Sequence, residues 1–232
     1  MKVLLRAKAN ALLTTINSHG HSSTVLDAAA QSGQSDAVSE LVRQLGIDDC
    51  GGATSGVQAL QSASQARHVE IVATLTSAGV VDTGRALIGA AEYGSEALVG
   101  LLLQQYQGTA DGKRAYVNTR DSLGTPPLFH SIGFGGFASL SSVRVVRFLV
   151  SAGADTSSVL RVTNKAGLVF NGTPPTFTTR VLREKKINGE DATEKQLCRL
   201  EATHRLLLGV EAVHAVSWLW ARDVPSVTHV AA

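Results

Sequence analysis

The chain of 232 residues is 44% apolar and 17% charged, a composition that buries a core and excludes a disordered polyampholyte. Twenty-one Lys and Arg against 19 Asp and Glu leave a net charge of +2, too weak a field to gather nucleic acid or anionic lipid, so neither is expected as a partner. Aromatic residues are only 5%, which suits small helices packed through small side chains better than an aromatic-rich sandwich. Cys50 and Cys198 support neither a disulfide framework nor a four-ligand zinc cluster, and a reducing compartment follows, cytoplasmic or nuclear.

In residues 2–16, Leu5, Ala9, Leu12, Leu13 and Ile16 form a candidate cap, while Arg6, Lys8 and Asn10 interrupt any apolar core of signal-peptide length. No run approaches the roughly 18 to 20 apolar residues of a bilayer span. Beyond the cap, short and longer helical patterns alternate: 24–32 with 36–45, 57–65 with 69–78, and 84–92 with 96–105. Thr-Ser-Ala-Gly at 76–79 lines up with Val-Ser-Ala-Gly at 150–153, each glycine closing an apolar helical stretch where a left-handed residue is wanted.

The next unit carries the clearest text. Asp121, Gly124, Pro126-Pro127-Leu128 and, after a glycine-rich insertion and a helix over 143–152, Gly153-Ala154-Asp155 resemble an ankyrin repeat. Proline in the first helical turn has no N–H to waste, and Asp and Gly shape the hairpin turn between units. Anchoring on the inner-helix leucine gives Leu26, Leu60, Leu87 and Leu128, spaced by 34, 27 and 41 residues beside the family's ~33. Units one to three have Thr24-Val25, Gln58-Ala59 and Arg85-Ala86 where the family has Thr-Pro, and Asp27, Gln61, Ile88 and Phe129 follow the leucine where it has His. A degenerate fifth unit starts near 163–165, with Thr173-Pro174 opening its inner helix, 197–208 as its outer helix and an exposed insertion at 183–195. Val210, Val213, Val216 and Leu219 make a second candidate cap.

The resemblance implies an all-α, ankyrin-like helical repeat solenoid with short β-hairpin loops and divergent terminal caps. Its organisation is a cap helix and linker at 1–21, a repeat domain at 22–208 (units at 22–50, 51–82, 83–116, 117–160 and 161–208) and a cap helix and tail at 209–232. A kink or gap is expected near 104–116, where the 41-residue spacing must be absorbed.

Motifs for chemistry are weak. Residues 108–114 approximate a phosphate loop but are one residue short, with Arg114 where Ser or Thr must reach magnesium, and they read as a solvated loop. Glycines 133, 135 and 136 lack the third glycine of a dinucleotide fingerprint. His19 and His21 have no third ligand nearby, so no metal and no cofactor is expected. Cys198 and His204, six apart on one helix, point to different faces, and Cys198 is expected to be buried. Arg180, Arg183, Lys185 and Lys186 run directly into Glu190, Asp191 and Glu194, a solvated mixed-charge loop. No nucleophile elbow frames any serine, and the chain is expected not to be an enzyme. Trp218 and Trp220 cannot both face one helix interior, so one is a contact for another chain or marks where a longer protein continues.

The expected function is therefore binding of another protein by a monomeric stack, with a regulatory segment of a larger protein as the alternative. Carried over position by position, the resemblance implies concave-face contacts at Gln31, Ser32, Gln65, Ala66, Glu92, Tyr93, Ser122, Leu123, Thr125 and Phe134. Tyr93 and Phe134 are candidate aromatic anchors; equally, Tyr93 caps a helix and Phe134 covers the insertion.

Overall fold

A computed structural model of the chain describes residues 15–16, 22–49, 52–133, 142–163, 169–188 and 194–208. In chain order these hold β1 (Thr15–Ile16), β2 (Ser22–Ser23), α1 (Val25–Gln31), α2 (Ser35–Asp49), α3 (Gly52–Gln65), α4 (Val69–Ser77), α5 (Arg85–Glu92), α6 (Glu96–Gln105) and α7 (Ala110–Val117). There follow α8 (Pro127–Ser131), α9 (Val143–Ser151), β3 (Leu160–Thr163), β4 (Val169–Gly172), α10 (Pro174–Asn188) and α11 (Glu194–Leu207). The protein is mostly helical. Among the described residues no helix is long and apolar enough to cross a membrane.

Each short helix pairs with the longer one that follows it, and the pairs stack. Helices α1, α3, α5 and α8 pack on one another in sequence order, forming an inner layer. An outer layer is made the same way by α2, α4, α6, α9 and α11. Inner neighbours run parallel: the Thr24 and Ser55 hydroxyls meet at 2.7 Å near the starts of α1 and α3, and Ser62 donates to Asp27 Oδ1 at 2.6 Å further along both. Thr24 also caps α1 by accepting from the Asp27 N–H at 3.2 Å, which satisfies a donor the helix leaves free.

The four anchor leucines, Leu26, Leu60, Leu87 and Leu128, are all enclosed in the inner layer. Burying one such side chain stabilises the fold by about 1.5 to 3 kcal/mol. Around them Ala29, Ala30, Ala59, Ala63, Ala86 and Ala90 let the helices approach, while Ile71, Leu75, Leu98, Leu102, Val145 and Leu149 close the core from the outer layer. At the far end, Phe129 of α8 meets Phe177 of α10 with ring centroids 6.4 Å apart.

Several boundaries differ from the sequence reading. The stretch expected as a gap holds α7, capped by Thr109 accepting from the Gly112 N–H at 3.1 Å and pinned by buried Tyr116 and Val117. Helix α3 begins at Gly52, before its apolar pattern does, and α2 is broken at Gly46, whose φ of 72° and ψ of 172° are not helical. Helix α10 continues to Asn188, so part of the expected insertion at 183–195 is helical. Thr15 and Ile16 pair with Ser23 and Ser22 as antiparallel strands, not as the end of a cap helix. The hairpin β3–β4, with Leu160 opposite Gly172, precedes α10. The rest of the first cap and all of the second lie outside the described residues.

Candidate protein-interaction site

The inner helices have two ends, and the expected contact residues divide between them. At one end the chain turns from inner to outer helix. In the first three pairs the same backbone bonds recur: Gly33 N to Ala30 O and Gln34 N to Ala29 O; Arg67 N to Ser64 O and His68 N to Ala63 O; Gly94 N to Ala91 O and Ser95 N to Ala90 O. This is the Schellman closure, which needs a left-handed residue. Glycine fills that position at 33 and 94, whereas Arg67 occupies it with φ 63°. The arginine carries that backbone cost and bridges two turns, its Nη2 donating to Tyr93 O at 2.7 Å with the guanidinium 6.0 Å from the Tyr93 ring centre.

Gln31, Ser32, Gln65 and Ala66 are exposed at this turn end. Glu92 and Tyr93 are half-buried, and Tyr93 is the C-cap of α5, as the helix-capping reading of that residue has it.

At the opposite end the chain passes from outer helix back to inner helix through three contiguous connections. In the first, Asp82 accepts from the N–H groups of Gly84, Ala86 and Leu87 at 3.0 to 3.1 Å and from the Tyr116 hydroxyl at 2.8 Å, tying the start of α5 to α7. Burial, ahead of the Asp82 charge, pushes the Tyr116 phenol pKa up, so it stays a donor. Gly84 lies so close to Thr119 that a Cβ there would come within 2.6 Å of its side chain.

In the second connection, Asp121 accepts from the Leu123 and Thr125 N–H groups at 2.8 Å, with His130 Nε2 at 2.9 Å from its other oxygen. Asn118 joins it to the third, donating to Gly153 O at 3.0 Å and accepting from the Asp155 N–H at 2.8 Å. Asp155 accepts from the Ser157 hydroxyl and N–H at 2.7 and 2.9 Å, hydrogen bonds that hold its pKa below the ordinary carboxylate value.

Ser122 and Leu123 are exposed here. Thr125 does not offer its side chain to a partner: it is 1% exposed beneath the Asp121 turn, and its hydroxyl has no hydrogen-bond partner. The family's Thr-Pro position points into the stack, and this corrects its assignment as a contact. Phe134 lies outside the described residues, as do His19, His21, Gly135, Gly136, Trp218 and Trp220.

The sequence reading also missed a pattern along the connections. Val81, Leu123 and Val159 are 74, 58 and 61% exposed, one in each connection. The signal was present in Val80-Val81, where only the first valine is needed for the core.

Elsewhere the chemistry is sparse. Cys198 is exposed, which corrects the expectation that it is buried. His204 lies against Thr178 on α10, Nδ1 to Oγ1 2.8 Å, and burial lowers its pKa. A groove of about 230 Å³ between α6, α7 and α9, lined by Leu103, Lys113 and Phe148, is smaller than the roughly 300 to 1,000 Å³ of small-ligand pockets. Among the described residues no group of three or more His, Cys, Asp or Glu is arranged to hold a metal. No protein-family model matches the chain, and no curated protein matches it.

Proposed function

We propose that the chain is a non-catalytic module of ankyrin-like architecture that binds a partner protein along its inner layer. The observation that carries this reading is the parallel stack of α1, α3, α5 and α8, with the same Schellman turn recurring at its end. Stacked units of this kind present an extended surface whose outward side chains vary freely because the leucines and alanines behind them hold the frame. Gln31, Ser32, Gln65, Ala66, Glu92, Tyr93, Ser122 and Leu123 are the residues assigned to that surface.

The test is capture from a cell lysate on the immobilised full chain, with bound proteins identified by mass spectrometry. A partner retained by the parent and by Arg43→Ala, on the outer helix α2, should be lost from a Tyr93→Ala, Ser122→Arg double variant whose circular dichroism is unchanged. Loss with Arg43→Ala and retention by the double variant would place the interface on the outer layer and end this assignment.

A further inference from the structure

The three connections share a composition that specifies more than a generic surface. Each carries one exposed aliphatic side chain, Val81, Leu123 or Val159, and each has an exposed arginine two to four residues away: Arg85, Arg120 and Arg161. Arg114 adds a further exposed cation beside Gly153. The carboxylates of the same connections are engaged. Asp82, Asp121 and Asp155 accept from backbone N–H groups, as well as from Tyr116, His130 and Ser157 in turn. Among the described residues no ion pair involves Arg85, Arg114, Arg120 or Arg161. The outward field of this edge is therefore positive, although the chain as a whole is nearly neutral.

Spacing narrows the ligand. Packed helices lie about 8 to 10 Å apart, so connections of successive pairs repeat at that interval. A polyproline II segment rises about 3.1 Å per residue with three residues per turn, which returns a side chain to the same face every ~9.3 Å. A β-strand returns one every ~6.6 Å and misses the interval. Val81 and Leu123 each stand four residues before the first residue of an inner helix, Arg85 or Pro127, which gives the two tips a common origin.

We infer that this edge binds an extended acidic peptide of a partner protein, with an apolar residue at every third position and Asp or Glu between. The inference rests on the protein-binding reading above and gives that partner its chemistry. A nucleic acid would satisfy the arginines but leave three aliphatic side chains facing phosphates, which favours the peptide.

The measurement is fluorescence anisotropy of labelled nonapeptides with the full chain: Leu-Glu-Pro repeated three times, the same with Lys for Glu, and the same with Ser for Leu. The Leu-Glu-Pro peptide should bind, and should weaken as salt rises from about 0.05 to about 0.5 M. Affinity should fall roughly tenfold with Ser in place of Leu, and by a similar factor for the exposed-site variant Leu123→Ser. A chain carrying Arg85→Glu and Arg161→Glu should prefer the Lys peptide. No binding at about 1 mM, equal affinity for the Glu and Lys peptides, an unaffected Leu123→Ser variant, or tighter binding of a thymidine dodecamer than of the peptide would each overturn the inference. If the peptides fail while lysate capture remains sensitive to Tyr93→Ala, Ser122→Arg, only the edge chemistry falls; if both fail, the protein-binding reading falls with it.

Discussion

At the turn end of the inner layer, residues 31–35, 65–69 and 92–96 close with the same backbone bonds, whereas at the connection end every passage from outer to inner helix is built differently. One connection is a carboxylate clasp on α5, one contains a whole helix and a His130–Asp121 contact, and one leads into a β-hairpin. The turns are fixed by backbone geometry, so they tolerate Gln, Ala or Glu at their exposed positions. The connections are fixed by side chains, so each is a separate solution and each presents a different surface. Regular turns keep the layers in register, and irregular connections supply what a partner can distinguish.

The largest expected effect comes from breaking the layer that both ends depend on. Leu128→Asp buries a carboxylate with no partner under the second connection, at a cost of several kcal/mol. Stability in a stack passes through neighbouring interfaces, so α5 and α9 should loosen as well. Hydrogen exchange should show protection lost across α5, α8 and α9 while α1 to α3 keep theirs. Uniform protection identical to the parent would mean that α8 is not part of the core.

Gly84 and Gly79 then separate backbone strain from close packing within one connection. Both have φ above +90°, but a Cβ at Gly84 meets Thr119 at 2.6 Å, while one at Gly79 meets nothing within 4 Å. Alanine at Gly79 should cost about 1 kcal/mol from the left-handed backbone alone. At Gly84 the same substitution must also push two connections apart, and a loss of roughly 2 to 3 kcal/mol is expected. Equal urea midpoints for the two variants would show that the first two connections do not support each other.

How much of this was legible follows from which physics fixed each part. Leu26, Leu60, Leu87 and Leu128 could be read as one periodic position because burial of a large apolar side chain leaves a sequence signature, and all four are buried. The helix over 96–105 was read at its observed bounds because apolar residues mark both of its ends. Helix α7 was read as a loop because Gly108, Gly112 and charged residues dominate its text; what makes it a helix is Tyr116 reaching Asp82, 34 residues away. Thr125 was placed on the surface because a threonine beside a turn looks exposed, and only the Asp121 turn above it shows the reverse. Arg67 in a glycine position was unreadable for the same reason: its compensation is a carbonyl in the next unit.

Tyr116→Phe sharpens the contrast by removing one hydroxyl from the connection end and leaving ring packing in place. The lost bond is donated to a carboxylate, and about 1.5 kcal/mol of stability should go with it. Tyr106 stacks on the same ring, with centroids 5.0 Å apart, and holds α7 near its present position. A thermal midpoint lowered with unchanged helix content is the expected reading. No change would mean that the N–H groups of Gly84, Ala86 and Leu87 alone satisfy Asp82.

The smallest effect is electrostatic and concerns the third connection. Asp155 has its pKa lowered chiefly by the Ser157 hydrogen bonds, with nearby Arg114 adding a smaller pull. A carboxyl whose folded pKa lies below its unfolded value, about 3.9, contributes stability that is present above that pH and lost as pH falls through the folded value. Asp155→Asn removes the charge and keeps an acceptor for the Ser157 and Ser158 N–H groups. The parent should exceed this variant in urea midpoint at pH 7, and the gap should close as both are taken below about pH 3. The difference is small because the carboxylate is largely solvated and screened. A gap that persists unchanged at low pH would assign Asp155 a purely steric role in shaping the turn, and the third connection would then be set by backbone geometry like the turns at the other end.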